Sequence, residues 1–380
     1  MNVATKYDAA IIGGGLAGLS LSIQLARLGY AVVLFEKEQY PFQKVCGEYI
    51  SLESWDFLNT MGVDLDGLHV PVITRLFVSA ENGKSIQHNL PLGGFGISRY
   101  RLDAHLAGLA KQAGVELLEN TKVIDVKYDS SLDEFQVEIP QQIIKARITA
   151  GTWGKKSNLD SKWNRKFSEA ARNKLNNYIG VKYHVNGDFP TDTIALHHFK
   201  NGYCGLVRIE DGQFNLCYLT TAENLKKANG DFRKLEKEIL SKNPFLQEIF
   251  SALNLSGQPY TISQISFEKK SLVEHHVLMI GDAAGMITPL CGNGMSMALH
   301  ASKIAATHIN HFLQGTINRE KMEYRYEFQW KKQFRSRMRR GRRLQRLFGA
   351  SWLGNLFITL IKPFPKLLDK LIKGTHGKPF

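Results

Sequence analysis

Three glycines near the start of the chain have the spacing of a loop that binds a dinucleotide. Gly13, Gly15 and Gly18 follow a short apolar segment, residues 7–12, and precede a stretch with helical apolar spacing, residues 19–28. The first glycine allows the turn, the second lets a pyrophosphate approach the backbone, and the third permits close packing of helix on strand. Because a helix N-terminus also attracts anions, the pattern indicates a phosphate-binding loop rather than an ordinary turn.

An acidic residue ends the second apolar segment and completes this pattern. Glu36 follows residues 31–35 and lies 18 residues beyond the third glycine, where a carboxylate can hydrogen-bond a ribose diol. Lys37 and two residues of the glycine loop, Leu16 and Ala17, are expected to contact the same ligand. Two apolar strands joined by a helix also predict a parallel sheet that is covered on both faces.

A second glycine-rich segment follows another apolar strand near residue 280. The pair Gly281-Asp282 precedes a turn at residues 289–294 and a predicted helix over residues 294–312. A helix N-terminus with free amides favours an anionic ring system such as a reduced flavin. The segment resembles the second flavin fingerprint of the p-hydroxybenzoate hydroxylase-like flavoproteins, which implies contacts from the aspartate to the ribityl and pyrophosphate groups. The residues assigned to the flavin here are Gly281, Asp282, Pro289, Gly292, Asn293 and Gly294.

A third element of the same superfamily is an arginine at the start of a helix. Arg99, Leu102 and Asp103 are similar to its Arg-x-x-[Phe/Leu]-Asp pattern, whose arginine lies near the flavin phosphates. Alone, Arg99 would be interpreted as a surface charge at a helix end, but three elements in family order favour the flavin. Val123, in a predicted strand over residues 122–128, is assigned to the cofactor as well.

Within this superfamily the chain most resembles the geranylgeranyl reductase family. The pair Cys46-Gly47 after the second strand is similar to that family's Cys-Gly stretch, and residues 202–206 and 211–215 are similar to its substrate-sheet hairpin. The resemblance covers roughly residues 7–330. It implies bound FAD with Cys46 and Gly47 beside it, and a lipophilic pocket roofed by an antiparallel sheet. No Trp-x-Trp-x-Ile-Pro segment is present, so the resemblance does not extend to flavin-dependent halogenases.

The fold class implied is α/β, with a Rossmann-like FAD-binding domain, an inserted antiparallel-sheet substrate domain and C-terminal helices. Turn signals at residues 201–202 and 211–212 agree with the antiparallel sheet, and a polar helix is predicted over residues 222–242. The expected domain bounds are residues 1–75, 96–165 and 272–330 for the FAD-binding domain, 76–95 and 166–271 for the substrate domain, and 331–380 for the tail.

Two cysteines fall in loops expected near the flavin and are the candidate catalytic residues. A thiol at Cys46 or Cys291 could donate a proton if Lys44 or a helix end lowers its pKa. The alternative for both is a small buried apolar residue, which is what most free cysteines are. Cys204 and Cys217 stand in strand patterns and are interpreted as packing residues.

The segment around Trp153 departs from the superfamily pattern. Many relatives carry a Gly-x-Asp-Gly motif that helps to bind flavin and nicotinamide phosphates, and here residues 151–154 have tryptophan where the aspartate would stand. A carboxylate that could order the loop is replaced by a bulky aromatic ring. Two electron sources therefore stay open: NADPH or NADH directly, or a separate electron donor.

Nearly all of the excess positive charge lies in the tail. Residues 331–380 contain 14 Lys or Arg and one Asp, a net +13 of the chain's +14. Residues 331–346 are basic, and residues 347–361 are uncharged and apolar, a composition typical of an interfacial helix on anionic lipid. A helix packed on the body is an equally favoured alternative. Nucleic acid is the less favoured partner because the basic run lacks interleaved aromatics.

Cysteine and histidine usage predicts no metal site and favours a reducing compartment. The four cysteines are widely spaced without a CxxC pair. Residues 197–198 and 275–276 are adjacent histidine pairs, whose side chains point to opposite faces of a strand. The apolar run at residues 9–12 ends in the glycine loop and is no secretory signal. We expect a cytoplasmic location with peripheral association at the inner face of the membrane.

These observations favour an FAD-dependent oxidoreductase that acts on a lipophilic small molecule. The leading hypothesis is reduction of C=C bonds in a prenyl or polyene-type compound by hydride transfer from reduced flavin. One alternative is an FAD-dependent monooxygenase that hydroxylates an aromatic or polyketide-like substrate. Another, of a different class, is a flavoprotein that serves mainly to dock a membrane or a partner through its basic tail.

Overall fold

Buried apolar segments from distant parts of the chain pair as strands in two sheets. The computed structural model describes residues 6–170, 178–253, 257–287, 292–348 and 351–380. The strands are β1 (Lys6–Ile12), β2 (Val32–Phe35), β3 (Tyr49–Ser51), β4 (Val72–Ser79), β5 (Ser85–Gly96), β6 (Glu116–Leu118), β7 (Asp125–Asp129), β8 (Glu134–Ile139), β9 (Gln142–Gly151), β10 (Tyr178–Val185), β11 (Thr193–Phe199), β12 (Gly202–Arg208), β13 (Phe214–Thr221), β14 (Tyr260–Ile265), β15 (Val273–Glu274) and β16 (Val277–Met279).

Helices occupy the connections between strands and the C-terminal part of the chain. They are α1 (Leu16–Arg27), α2 (Trp55–Thr60), α3 (Arg99–Gln112), α4 (Asn158–Lys162), α5 (Lys166–Ala170), α6 (Ala222–Lys227), α7 (Phe232–Glu238), α8 (Pro244–Ala252), α9 (Gly294–Leu313), α10 (Arg319–Phe348), α11 (Ser351–Ile361) and α12 (Pro365–Thr375).

The first sheet has a parallel centre. Its strand order is β15-β16-β9-β1-β2-β6, and β8 and β7 extend from β9 as an antiparallel pair. Strands β1 and β2 pair in parallel through Ala9–Val32 and Ile12–Phe35, and all four residues of β2 are buried. Strands buried on both faces must be covered by helices, and α1 and α9 lie together over one face, joined by the hydroxyls of Ser20 and Ser302 at 2.5 Å.

The second sheet is mainly antiparallel. Its order is β14-β10-β13-β12-β11-β4-β5-β3, and the β4–β11 pair is parallel. One face carries a core that includes Phe199, Leu216 and Tyr218, packed against α7 and α8 through Leu235 and Leu246. We call the opposite face, which turns towards the first sheet, the inner face.

This architecture confirms the predicted α/β class with an antiparallel second sheet and C-terminal helices. The turns predicted at residues 201–202 and 211–212 are also present between β11, β12 and β13. The single helix predicted over residues 222–242 is wrong. Asn229 and Gly230 both adopt positive φ (57° and 81°), which ends α6 before Asp231 caps α7.

The described part of the C-terminal tail packs on the body. Tyr326, Phe334 and Met338 of α10 belong to the core of the first sheet, and the Tyr326 hydroxyl donates to the Met279 carbonyl at 2.5 Å. Arg337 forms a buried ion pair with Glu53 at 3.2 Å.

No helix within the described ranges combines the length and the apolar character needed to cross a bilayer.

The Arg337–Glu53 pair gives a test of how firmly α10 is attached. Arg337→Met should lower the free energy of unfolding by roughly 3 kcal/mol at neutral pH, because it leaves a buried carboxylate without its cation. Burial raises the pKa of Glu53 above its ordinary 4.5, and Arg337 opposes that rise. Without Arg337 the folded state takes up a proton more readily, so the penalty should shrink as the pH falls towards 4.5. Denaturant unfolding between pH 8 and pH 5 measures this.

The matched control is Arg339→Met, because Arg339 is an exposed arginine on the same helix. Equal unfolding free energies for the two variants would contradict the expected role of the buried pair.

Candidate functional site

A large cavity lies between the two sheets. It has a volume of about 1230 Å³, and its wall is formed by the carboxyl ends of β1, β2, β9 and β16 together with the inner face of the second sheet. Pockets for a single drug-sized ligand usually measure about 300–1,000 Å³, so this cavity has room for more than one ligand. The carboxyl edge of a parallel sheet is also where α/β folds bind nucleotides.

The first glycine loop lies at the end of β1, where two of its glycines are required by close packing. A side-chain carbon on Gly13, which has φ +108°, would lie 2.6 Å from the Cα atom of Trp153. One on Gly18 would lie 2.0 Å from the Gly13 carbonyl oxygen. Helix α1 follows Gly15 without a side-chain cap, so its first amides are free to face a ligand in the cavity.

The acid at the end of β2 is held by backbone amides at the edge of the cavity. Glu36 is buried, and its Oε2 atom accepts a hydrogen bond from the Gly14 amide at 2.8 Å. Its Oε1 atom accepts from the Glu38 amide at 3.1 Å. The Tyr40 hydroxyl donates to the Gly14 carbonyl, which closes this side of the loop. The carboxylate is therefore oriented before any ligand arrives, as recognition of a ribose diol requires.

Two cations share one buried carboxylate beside the glycine loop. Arg99 and Lys44 contact Asp103 at 2.7 Å and 2.9 Å, and the Lys44 amine also lies 3.3 Å from the Gly14 carbonyl. Burial would raise the pKa of Asp103, but Arg99 and Lys44 hold it below its usual value. The cluster carries one net positive charge next to the free amides of α1, an arrangement suited to a pyrophosphate. Sequence reasoning placed Lys44 beside Cys46 and did not find its contact with the loop.

The second glycine segment lies beside the first on the same wall. Gly281 has φ +66° and approaches Ala17, where an added side-chain carbon would lie 3.2 Å from its Cβ atom. Burial raises the pKa of Asp282, and Lys270, Arg99 and Lys155 oppose the rise. Helix α9 begins after Asn293 without a side-chain cap, so its amides also face the cavity. The two helix N-termini meet at one place on the wall.

Most of the residues assigned to the cofactor from sequence lie on this one wall. Gly18 lies behind it, at the contact of helix and strand, and Pro289 and Cys291 lie outside the described residues. Those on the wall are Gly13, Gly15, Leu16, Ala17, Glu36, Lys37, Cys46, Gly47, Arg99, Val123, Gly281, Asp282, Gly292, Asn293 and Gly294.

The Cys46 thiol is a protonated group on the wall. Its Sγ atom lies 3.6 Å from the Met295 sulfur at the start of α9. Burial raises the pKa of Cys46, and the nearby Arg99 lowers it by less. The thiol therefore keeps its proton at neutral pH, which suits it to give a proton rather than to act as a nucleophile. Cys217, interpreted from sequence as packing, also lies on the wall, whereas Cys204 is buried on the other face of the second sheet.

Trp153 is held by a carboxylate from later in the chain. Its indole nitrogen donates to Asp160 at 3.2 Å, and Asp160 forms a buried ion pair with Arg165 at 2.7 Å. Arg165 also donates to the Ala283 carbonyl at 3.1 Å, beside the second glycine segment. The loop that lacks an aspartate at position 153 is thus held through the tryptophan by a buried carboxylate of α4. Nothing in the local motif indicated this replacement.

A buried charge cluster joins the two halves of the site. Lys182 on β10 donates to Glu48 at 2.5 Å and to Gln43 at 2.9 Å, and both Lys182 and Glu48 are 0% exposed. His184, two residues along the same strand, contacts the other oxygen of Glu48 at 2.6 Å. Glu48 also accepts from the Arg99 amide at 2.8 Å. The cluster fixes the segment that contains Cys46 between the second sheet and α3.

The comparison with known protein families agrees with this geometry. Residues 6–332 match the family described as FAD binding domain, and the chain belongs to that family. Curated relatives include conditioned medium factor receptor 1 of Dictyostelium discoideum, 27% identical over 86% of this chain and 68% of the relative. Digeranylgeranylglycerophospholipid reductase 2 of Methanothermobacter thermautotrophicus is 23% identical over 98% and 92%. Mouse (Mus musculus) squalene monooxygenase is 23% identical over 79% and 54%.

Solved structures share the fold over almost the whole chain. A flavin-dependent brominase superposes with a TM-score of 0.76 at 20% identity, over 98% of this chain and 93% of its own. A geranylgeranyl bacteriochlorophyll reductase-like protein from Thermoplasma acidophilum superposes with a TM-score of 0.74 at 17% identity, over 99% and 97%. At these identities the likeness extends to the fold alone.

The wall fits FAD. A side-chain carbon at Gly15, the glycine that a pyrophosphate would approach, would meet only the cationic ends of Arg99 and Lys44, at 3.6 Å and 3.9 Å. The backbone is therefore open to a phosphate there, and the Arg99–Lys44–Asp103 cluster supplies positive charge beside it. Glu36 is positioned for a ribose, and the N-terminus of α9 faces the part of the cavity that would hold the ring.

Gly18→Ala tests the close contact behind the loop. The added methyl group would displace the Gly13 carbonyl, so FAD affinity should fall by about 10-fold or more. Absorbance at 450 nm after reconstitution measures the bound flavin. The control is Gly108→Ala, because no atom lies within 4 Å of a side-chain carbon at Gly108. Full flavin content in Gly18→Ala would show that this packing is not needed for the site.

Lys182→Met tests the buried cluster. It leaves Glu48 buried without its cation and should destabilise the fold by roughly 3–5 kcal/mol. The double variant Lys182→Met/Glu48→Gln should regain most of that loss, because the carboxylate is then neutral. Lys227→Met is the surface control, where loss of the exposed Glu223 pair should cost about 1 kcal/mol or less. Denaturant melts compare the four proteins, and equal losses at Lys182 and Lys227 would contradict the role given to the cluster.

Proposed function

We propose that this member of the FAD binding domain family reduces carbon–carbon double bonds in a lipophilic substrate of prenyl or polyene type. Membership of the family makes the chain an FAD-dependent oxidoreductase. The particular reaction and the class of substrate are what we propose. The observation that carries the proposal is the apolar half of the cavity. This half is lined by Ile194, Leu196, Tyr203, Leu206, Val207, Leu219, Ile262, Ile265, Met286 and Ile287.

The apolar half lies against the inner face of the second sheet. Alternate residues of β11, such as Ile194 and Leu196, point into the cavity, as period-two alternation requires. An isoprenoid chain would gain free energy from leaving water at such a surface. The reductase relative that covers 98% of this chain is named for a digeranylgeranyl lipid, which supports a substrate of this chemical class.

The residues around the ring site would orient the reaction and supply its proton. Reduced FAD, when bound, supplies a hydride to the double bond. The protonated thiol of Cys46 stands on the wall between the glycine segments and the apolar half, where it could deliver the proton that completes the reduction. Gly47 and Tyr49 continue the wall beyond it and help to exclude water. Cys291, the other candidate acid, lies outside the described residues.

The electron source is proposed to be either a nicotinamide dinucleotide or a separate electron donor. Trp153 stands where relatives carry a phosphate-ordering aspartate, and this favours a separate donor. Lys155 and Lys156 follow it on the cavity wall, and this favours a phosphorylated donor such as NADPH. The two sources differ in a direct reduction experiment.

A monooxygenase is the second candidate function. The relationship to squalene monooxygenase supports it, since that enzyme is named for oxygenation of a polyene. Dioxygen consumption that depends on substrate would favour this candidate, whereas anaerobic re-oxidation of the reduced protein by a polyene would favour the reductase.

The enzyme is further proposed to be a peripheral protein at the inner face of the cytoplasmic membrane. Prenyl substrates reside in bilayers, and the basic tail, residues 331–380, would favour an anionic surface.

An anaerobic titration tests the proposed reaction. The holoenzyme is reduced with NADPH, NADH or dithionite while the 450 nm band is followed, and a prenyl lipid in detergent is then added. We expect re-oxidation by the lipid with formation of the saturated product. Bleaching by dithionite alone would assign a separate donor. No re-oxidation by lipid without air, together with dioxygen consumption that depends on the lipid, would overturn the reductase in favour of the monooxygenase.

Cys46→Ala tests the proton donor. Turnover should fall by about 100-fold or more, the usual contribution of a general acid, while dithionite reduction of the flavin stays unchanged. Cys217→Ala is the matched control, because it removes a second thiol from the same wall. An equal and small loss in both variants would remove Cys46 from the mechanism.

A further inference from the structure

Four large apolar side chains stand in solvent along the last two helices. Leu356 and Leu360 on α11 are 45% and 60% exposed, and Phe364 and Leu367 at the start of α12 are 59% and 48% exposed. The spacing of four residues places Leu356 and Leu360 on one side of α11, and Phe364 and Leu367 follow across the turn that joins the two helices. We call these four residues the C-terminal ridge. Isolated exposed apolar residues are ordinary, but four large ones so close together along the chain mark a candidate interaction surface.

The opposite side of the same helices is fixed to the protein. Ile361, Leu368 and Ile372 are buried against strands β4 and β5, where they pack on Leu76 and Leu90. His88 on β5 lies 2.7 Å from Asp369 on α12. The ridge is therefore held on a frame with its own apolar core and does not depend on a partner to fold.

The frame continues the roof of the substrate cavity. Leu76 on β4 pairs with Ile194 on β11, so their side chains lie on the same face of the second sheet. Ile194 lines the cavity and packs, like Leu90, against the cluster of Tyr49, Ile73 and Val207. Leu90 also packs on the buried side of α11 and α12. The inner face is thus shared, with the cavity under one part and the C-terminal helices under the neighbouring part.

Charge around the ridge has one sign. Residues 351–380 contain five lysines and one acidic residue, and that acid is Asp369, which already contacts His88. The lysines are all exposed: Lys362, Lys366, Lys370, Lys373 and Lys378. An apolar row bordered by cations matches the interface of a bilayer that contains anionic lipid.

We propose that the C-terminal ridge inserts into the surface of an anionic bilayer and holds the apolar half of the cavity beside the membrane. The inference rests on the proposed function in one respect, that the substrate is a lipid. The proposed membrane contact differs from the one expected from sequence. The apolar side of α10 packs on the protein core, so the side chains proposed to insert are those of α11 and α12. Within the apolar segment 347–361, Leu356 and Leu360 are the large side chains that the structure shows exposed among its described residues.

A second copy of the chain fits the ridge less well. A two-fold contact through these residues would bring Lys362 and Lys366 of both copies together without an acidic partner, which costs free energy. An anionic lipid surface neutralises the same charges. A ridge-dependent dimer is therefore an outcome that would overturn the proposal.

Vesicle flotation of the full-length holoenzyme tests the proposal. Vesicles of phosphatidylcholine alone are compared with vesicles in which phosphatidylglycerol replaces about a third of the lipid. We expect binding to the anionic vesicles that weakens in high salt. Leu360→Asp/Phe364→Asp should reduce that binding by about 10-fold or more, because charged groups replace the inserting side chains.

A matched control changes the same residue types elsewhere. Leu132 and Phe328 are each 58% exposed, close to the values for Leu360 and Phe364, so Leu132→Asp/Phe328→Asp introduces equal charge outside the ridge. Binding should be retained in this control. Unchanged binding of the ridge variant, equal loss in the control, absence of binding by the wild-type protein, or a dimer that depends on the ridge would each overturn the proposal.

The two proposals fail in different measurements. The ridge variant should keep its flavin content and its reaction with substrate dispersed in detergent, because none of its changes touches the cavity wall. Vesicle binding that depends on the ridge without any reaction with prenyl lipid would sink the proposed function and leave the membrane contact standing.

Discussion

One buried carboxylate, that of Glu48, joins the second sheet to α3. Lys182 and His184 of the second sheet contact this carboxylate, and the backbone amide of Arg99 in α3 donates a hydrogen bond to it. A charge without access to water is tolerated only when it is neutralised and hydrogen-bonded, so these partners must stay in place together. The segment before Glu48 carries Cys46, and the Arg99 side chain extends towards the glycine loop. The relative position of the two halves of the cavity therefore depends on one set of short contacts.

The parts of the site that the sequence predicted are those built from local patterns. Gly13, Gly18 and Glu36 belong to a strand–turn–helix–strand unit, and the structure shows the close packing at both glycines and the contact of Glu36 with the Gly14 amide. The parts that it could not predict depend on pairing across the chain. Lys182 meets Glu48 across 134 positions, and Asp160 of α4 accepts a hydrogen bond from the Trp153 indole. Nothing in a linear pattern indicates which distant charges will meet.

For the C-terminal tail, the sequence indicated amphipathic helices but did not indicate whether the protein core or a membrane covers their apolar side. Amphipathic spacing in the C-terminal helices indicates that an apolar side will leave water, but the same spacing serves a protein core or a bilayer. The structure shows which side chains are covered by the protein: Phe334 and Ile361 pack on it, whereas Leu360 is exposed to solvent. The polar helix predicted over residues 222–242 was wrong for a local reason, since Asn229 and Gly230 interrupt it with left-handed backbone.

The shared inner face of the second sheet makes the last helices part of the folded body rather than an appendage. If a protease cut the chain in α10, the departing helices would uncover Leu76, Ile86 and Leu90 on two neighbouring strands. A flat apolar sheet surface of that kind promotes self-association of the fragment. The protein would then be lost to aggregation although every residue of the cavity wall was intact. Residues 351–380 therefore cover a surface that would otherwise promote aggregation.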